Sequence, residues 1–334
     1  MMQYRWLNRL AWLATLLAFV VIVLGAYVRL SHAGLGCPDW PGCYGQLIAP
    51  DAPHEIASAN ADFERPVEPA KAWKEMVHRY FASFLGVLIL ALAVMAWRQR
   101  KRQDAPVKLS LFLVALVIFQ GALGMWTVTL LLKPLIVTLH LLGGMATFAL
   151  LLLLSLRTSG RLDGLPDVSA ALRRFAALAL AVLIIQIALG GWTSTNYAAL
   201  ACPDFPTCQA QWIPDMDFAT GFTLWHGLGI NYEGGILHHP ARVAIHFTHR
   251  VGALVTFILI STLALLLFRQ RHAVLRTLGG VVLALLLMQV SLGVSVVMLA
   301  LPLPLAVMHN GTAALLLAAM VTLNFALTRQ KRVR

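Results

Sequence analysis

Charged residues are scarce in this chain of 334 residues. Asp, Glu, Lys and Arg together make up only 12% of it, whereas 59% is hydrophobic. A soluble domain cannot hide so much apolar surface, so the composition excludes that class. The chain is expected to be an all-α integral membrane protein.

Acidic residues are the scarcer of the two charge types, with 14 against 26 basic residues and a net charge of +12. A basic excess can indicate a nucleic-acid partner, but its distribution argues against one. In an eight-span arrangement, 18 of the 26 Lys and Arg residues fall on one side. The positive-inside rule then places both termini and the short basic loops in the cytoplasm, in a cell inner membrane. The eight apolar segments, each near the ~20 residues that span a bilayer, are 8–30, 72–97, 108–131, 135–156, 172–194, 241–268, 275–298 and 304–327.

Cysteines number only four, and all lie in two long loops on the outer, periplasmic side, 31–71 and 195–240. Cys37 and Cys43 flank five residues in the first loop, as Cys202 and Cys208 do in the second. Because that compartment is oxidising, a disulfide bond within each loop is predicted. Each pair could be a structural staple or a redox relay. The staple is favoured for the second pair, and both interpretations stay open for the first.

The two halves of the chain repeat each other. His78-Arg79 recurs as His249-Arg250, and His140 recurs as His309, with offsets of 171 and 169 residues. Gln120 with Gly124 likewise recurs as Gln289 with Gly293. Four spans repeated in the same orientation predict eight transmembrane helices arranged as two pseudo-symmetric four-helix bundles. The long inner loop divides them into an N-terminal half, 1–165, and a C-terminal half, 166–334.

Two histidines in each half open helices that enter the membrane from the outer side. His78 and His140 therefore lie at similar depth in one bundle, as His249 and His309 do in the other. Histidines on facing helices are typical axial ligands of haem iron. A buried histidine bonded to a helix backbone is the alternative for any single one, but four at repeat-related positions favour haem. Zinc is disfavoured because neither bundle has a tetrahedral ligand set within the membrane.

Charged side chains accompany these histidines. Arg79 and Arg250 could pair with haem propionates or extend to the membrane interface, and both interpretations stay open. Glu75 lies one turn before His78 and could act as a general acid or base, or stabilise a cation. Its alternative is a solvated position beside nearby lysines. The matching position in the second half is His246, either a partner of a ligand or an alternative axial ligand.

Taken in order, these motifs resemble the heme A synthase family, membrane enzymes that oxidise a methyl group of haem O to the formyl group of haem A. The resemblance covers essentially the whole chain. It implies catalytic roles for Glu75, His78 and His140 at a substrate haem O, and a haem b cofactor on His249 and His309. Cys37 and Cys43 match a pair linked in the family to electron transfer or haem handling. Cys202 and Cys208 form a further pair that some members lack.

The resemblance also implies an oxidoreductase that acts on a CH3 group by successive hydroxylation, with haem b relaying electrons. Its expected partners are membrane lipid, a haem O synthase, a terminal oxidase under assembly and a second copy of the chain. The main rival is a non-catalytic di-haem electron carrier, a quinol-linked cytochrome b. Only Glu75, the first cysteine pair and the family resemblance argue against it. A transporter is disfavoured because midplane charges and broken helices are missing from the sequence.

Overall fold

The computed structural model describes residues 2–160, 162 and 168–328, and within them it is helical. Eight helices are long and apolar enough to cross a membrane, which confirms the predicted number of spans and makes the chain a multi-pass membrane protein. Two short helices lie in the outer loops. In chain order the helices are α1 Met2–Leu30, α2 Pro53–Asp62, α3 Pro69–Arg98, α4 Val107–Thr129, α5 Pro134–Ser159, α6 Ala170–Thr195, α7 Phe218–Gly221, α8 His239–Phe268, α9 Ala273–Met298 and α10 Leu303–Thr328.

Helices α3, α5 and α8 each begin with proline in the first turn, where its fixed φ and missing N–H are tolerated. Helices α3 and α8 start earlier than the apolar segments do, at Pro69 and His239. Glu75 and His246 lie inside these helices, each one turn before a candidate ligand, as the predicted segments 72–97 and 241–268 placed them.

The spanning helices form two rings of four. Helices α1, α3, α4 and α5 pack in one ring, and α6, α8, α9 and α10 pack in the other. Between the rings, α1 contacts α10, α5 contacts α6, and α5 contacts α10. When α1 is exchanged with α6 and α5 with α10, the same set of contacts between the rings is obtained. The predicted pair of pseudo-symmetric bundles is confirmed.

The predicted boundary between the halves, at Leu165 and Pro166, lies outside the described residues. So do several basic residues used for the topology prediction, namely Arg161, Arg329, Lys331, Arg332 and Arg334.

A continuous apolar core fills the inner parts of both bundles. It includes fully buried side chains such as Leu92 of α3, Leu154 of α5, Ile260 of α8 and Leu323 of α10. The four repeat-related histidines lie nearer the outer helix ends, beyond this core. The inner part of each bundle is therefore solid packing, and the outer part is where a site can form.

Part of the second outer loop crosses over to the first bundle, and we call residues 222–237 the strap. The Tyr232 backbone N–H donates to the carbonyl oxygen of Leu131, 3.0 Å away. Lys133, only 1% exposed, donates to the Gly227 carbonyl, and its ammonium lies 3.0 Å from the centre of the Trp225 ring. The strap thus covers the turn between α4 and α5.

Candidate functional site

Each of the four repeat-related histidines packs against a glycine on a neighbouring helix. A Cβ built on Gly25, Gly190 or Gly293 would lie so close to the imidazole Cε1 that the ring would have to shift, whereas at Gly124 it would make an ordinary contact. The distances are 2.9 Å for Gly25 and His78, 3.5 Å for Gly124 and His140, 3.2 Å for Gly190 and His249, and 3.0 Å for Gly293 and His309. The contacts join α1 to α3, α4 to α5, α6 to α8 and α9 to α10. One packing device therefore positions all four rings.

The histidine chemistry fits a haem in each bundle. His78 on α3 and His140 on α5 lie on opposite helices of one ring of four, as His249 on α8 and His309 on α10 do in the other. The Nδ1 atoms of His78, His140 and His309 are buried and have no partner within the described part of the chain. A buried imidazole nitrogen without a partner is costly, and a neutral imidazole is a common iron ligand. A pair of such rings per bundle is the donor set that a bis-histidine haem requires.

Glu75 is buried, with 5% of its surface exposed. Its Oε1 pairs with Arg79 Nη2 at 2.5 Å, and its Oε2 accepts a hydrogen bond from the Cys37 backbone N–H at 3.0 Å. The interpretation of Glu75 as a solvated loop residue is therefore wrong, because the first disulfide loop folds over it.

Arg79 binds the same loop through hydrogen bonds to its backbone. Besides Glu75, its guanidinium donates to the backbone carbonyls of Asp39, Pro41 and Gly42 at 3.1, 3.3 and 2.5 Å. The side chain does not simply extend to the interface, because its N–H groups bind the disulfide ring. Contact with haem propionates stays a prediction.

The second half repeats this arrangement with a different residue in the place of Glu75. His246 Nδ1 accepts from the Cys202 backbone N–H at 3.3 Å, and Arg250 Nε lies 3.3 Å from His246 Nε2. Arg250 also donates to the carbonyls of Cys202, Asp204 and Thr207 at 2.7–2.8 Å. Both ring nitrogens of His246 thus have protein partners, which favours His249 as the ligand in this half.

Comparison with known proteins places this architecture in a family. Residues 8–321 match the family model COX15-CtaA, described as a cytochrome oxidase assembly protein. The chain belongs to this family. The resemblance inferred from the residues is thereby confirmed.

The chain is also similar to several heme A synthases, to two of them over nearly the full length of both chains. The chain is 49% identical to a heme A synthase of Shewanella oneidensis over 326 residues, covering 97% of this chain and 96% of the relative. It is 30% identical to a heme A synthase of Shouchella clausii over 230 residues, covering 67% and 71%. A third heme A synthase, from Halalkalibacterium halodurans, is 28% identical over 324 residues, covering 94% of each chain.

Both cysteine pairs of this family member form disulfide bonds, Cys37–Cys43 and Cys202–Cys208, as predicted. An aspartate organises each ring. The Asp39 carboxylate accepts from the backbone N–H groups of Tyr44 and Gly45 at 2.6 and 2.8 Å. The two rings are therefore built alike, although only the first lies over a carboxylate.

Asp204 plays the same part in the second ring. Its carboxylate accepts from the Thr207 hydroxyl and from the backbone N–H groups of Gln209 and Ala210 at 2.6 and 2.9 Å. These hydrogen bonds, that of Thr207 foremost, lower the pKa of Asp204 to about 2.

Two residues near the sites differ from what the sequence indicated. Arg29, at the outer end of α1, donates to the Ser194 carbonyl at 2.7 Å and lies over Tyr197, so it joins α1 to the end of α6, a contact that the sequence did not indicate. Gln186, which contacts His249, was not predicted. Its counterpart in the first half is Val21, so the repeat gave no signal. The available signal was its position four residues before Gly190, the spacing that Gln120 shares with Gly124.

Proposed function

We propose that this chain is a heme A synthase, an oxidoreductase that converts a methyl group of haem O to the formyl group of haem A. The observation that carries the proposal is the near-full-length similarity to heme A synthases, 49% identical over 97% of the chain. The four glycine-packed histidines support it, because they provide two bis-histidine haem sites. The buried carboxylate beside only one of them supports a division of labour.

The N-terminal half, residues 1–165, takes the substrate haem between His78 and His140. The C-terminal half, 166–334, holds haem b between His249 and His309, and this cofactor supplies one-electron transfer when bound. Arg79 and Arg250 fix the disulfide rings and add positive charge at the outer end of each site. Haem propionates would lie at that end, because it is the polar one.

Oxidation of an unactivated methyl group to a formyl group requires more than one step. With water supplying each hydroxyl group, each of two oxidations releases two electrons, which haem b would carry away one at a time, and two protons. The first oxidation gives an alcohol, the second gives a geminal diol, and loss of water gives the aldehyde. Protons leave the substrate carbon at each oxidation, and Glu75 is the carboxylate nearest to His78 along α3. Its role is to accept protons or to stabilise positive charge at that carbon. Arg79 orients it for this task.

The proposal also includes a membrane location, a topology and partners. The protein lies in a cell inner membrane with both termini in the cytoplasm and both disulfide loops on the periplasmic side. A haem O synthase supplies the substrate, a terminal oxidase receives the product, and a second copy of the chain is a possible partner.

The test is extraction of haem from the purified protein and from membranes of a host that makes haem O. Chromatography of the wild type should give haem A or its hydroxylated intermediate. Glu75→Ala should abolish or stall the product, whereas Glu64→Ala, which removes an exposed carboxylate of the first outer loop, should not. Recovery of haem b alone, unchanged by Glu75→Ala, would contradict the proposal and favour the di-haem electron carrier.

A further inference from the structure

Gln186 of α6 is a membrane-embedded amide that contacts a candidate iron ligand. Its Nε2 donates to the backbone carbonyl of His249 at 3.0 Å and also lies 3.0 Å from His249 Nδ1. Its Oε1 is buried and has no partner within the described residues. The amide is therefore bound to the backbone of the ligand residue, with its Nε2 facing His249 Nδ1 and its Oε1 unpaired.

A glycine makes room for this amide. Gly252 lies three residues beyond His249 on α8, and a Cβ there would be closer to Gln186 Oε1 than any real Cβ contact. Any larger residue at position 252 would displace the amide from His249. The Gln186 contact therefore depends on two positions on two helices.

Both positions differ in the first half of the chain. Val21 replaces Gln186, and Phe81 replaces Gly252, at the offsets of 165 and 171 residues that relate Gly25 to Gly190 and His78 to His249. Neither side chain can form a hydrogen bond, and Nδ1 of His78 is buried without a partner in the described structure. The amide and its glycine are present together in one half and absent together from the other.

The second histidine of each bundle follows the same trend. In the C-terminal half, Gln289 Nε2 lies 3.2 Å from His309 Nε2. In the N-terminal half, the equivalent Gln120 lies against Gly143 instead, and its Nε2 has no partner among the described residues. Side-chain amides thus contact both histidine rings of the C-terminal half, whereas no side-chain amide hydrogen bond to the ring of His78 or His140 is present in the described structure.

We propose that Gln186 is a positioning residue that fixes His249 for permanent haem binding, and that its absence from the first half leaves His78 free to release haem. This inference rests on the proposed function and adds what makes one haem a cofactor and the other a substrate. Ligating histidines almost always bond through their second ring nitrogen, which orients the ring and raises its basicity. Ligation through Nε2 places the ring proton on Nδ1, and the Gln186 amide, turned so that Oε1 takes the place of Nε2 beside Nδ1, would accept that proton.

The test compares haem retention and electronic structure in purified variants. Haem transfer to excess apomyoglobin gives the loss rate, and electron paramagnetic resonance with redox titration reports the ligand field. Gln186→Leu should release its slowly lost haem about 10- to 100-fold faster, the usual cost of losing such a partner, with altered g-values and a higher midpoint potential. Gln186→Glu, which keeps an acceptor, should retain haem and have a lower midpoint potential.

Two further variants keep the test decisive. Gly252→Ala leaves Gln186 intact but displaces its amide, so it should reproduce the effect of Gln186→Leu even where that variant folds poorly. Gln120→Leu removes the glutamine whose side-chain Nε2 has no hydrogen-bond partner in the described structure, so the retained haem should keep its loss rate and g-values.

The outcomes separate the two proposals. A wild-type protein without bis-histidine haem would contradict the proposed function itself. A wild type with haem, together with Gln186→Leu and Gly252→Ala variants that keep its loss rate within twofold and its g-values unchanged, would overturn only the role of Gln186.

Discussion

At the scale of single residues, Glu75 and His246 are the most informative pair. Each accepts the backbone N–H of the first cysteine in its loop, and each lies beside an arginine four residues later. Holding the loop therefore requires an acceptor at this position but not a carboxylate. Binding of the loop does not explain why Glu75 carries a negative charge. We therefore favour a chemical role for the Glu75 carboxylate.

Glu75→His tests that separation, because it installs the residue that the second half already uses. We expect the variant to fold and to keep the Cys37–Cys43 disulfide, since an imidazole can still accept the Cys37 N–H. Turnover of haem O should fall by about 10²- to 10⁴-fold, the usual contribution of a positioned acid or base. Chromatography of extracted haem measures the loss, and turnover within tenfold of wild type would count against a chemical role.

Arg79 and Arg250 should differ in their contribution to stability. Arg79→Ala leaves a buried carboxylate without its ion-pair partner, which costs about 3–5 kcal/mol. Arg250→Ala should cost less, because an imidazole, unlike a carboxylate, carries no obligatory charge. Thermal unfolding of both variants in one detergent compares them, and an equal loss of stability would contradict the importance of the Glu75 charge.

The site could be predicted from the sequence only where the repeat or a known motif marked it. His78, His140, His249 and His309 were found because each has a counterpart. Gln186 was not, because its counterpart is an apolar valine. The partners of Arg79 could not be found either, since backbone carbonyls 37–40 residues away carry no signature in the sequence.

At the scale of elements, the two disulfide rings share one design and lie over different residues. An aspartate of each ring binds two backbone N–H groups just beyond the second cysteine, and an arginine of the following helix binds carbonyl groups of the ring. The first ring also covers Glu75, so its order is coupled to the orientation of that carboxylate. The second ring covers only His246.

Removing each disulfide should therefore have unequal effects on activity. Closure of either seven-residue ring is worth about 2 kcal/mol in the loop-entropy relation, so Cys37→Ser/Cys43→Ser and Cys202→Ser/Cys208→Ser should destabilise the protein similarly. Only the first double variant should also slow haem O turnover, because it loosens the cover of Glu75. Thermal unfolding and haem extraction on both variants check this, and equal turnover losses would argue against the coupling.

The second ring should loosen in acid. The folded pKa of Asp204 is lowered to about 2, so its stabilising effect is complete above the ordinary aspartate value of about 4. That effect is lost as the pH falls from there through the folded pKa. Over this interval, the Gln209 and Ala210 amides of the wild type should lose their protection, so their hydrogen exchange should speed up relative to that of an unstructured peptide at the same pH. In Asp204→Asn, these amides should already be unprotected at neutral pH, and their protection should not change with pH over this interval. If the same pH dependence persists in this variant, another group is responsible for it.

At the scale of the whole molecule, the strap breaks the symmetry of the halves. It belongs to the second outer loop but contacts the first bundle through Leu131 and Lys133. An ion pair between Arg65 and Glu233, 2.9 Å apart, also joins the two outer loops. The eight spans and their pairing were predictable from hydropathy and repeats. The strap was not, because its partners are some 94 residues distant and have no repeat counterpart.

Trp225 should anchor the strap. Its ring lies over the buried Lys133 ammonium, a contact worth about 0.5–2 kcal/mol. Trp225→Ala should accelerate hydrogen exchange at Tyr232 and proteolysis within 222–237. Trp212→Ala, which removes a tryptophan that is 73% exposed in the same loop, is the matched control. Equal effects of the two substitutions would show that the Lys133 contact does not hold the strap.

The strap also determines how this protein can be divided. A chimera joined in the inner loop between α5 and α6 would take its first bundle from one parent and the cover of that bundle from the other. Lys133, Leu131 and Arg65 would then face a foreign strap, although each bundle kept its own histidines. Productive exchange of halves between relatives therefore requires grafting residues 222–237 together with the N-terminal half, so the functional module is discontinuous along the chain.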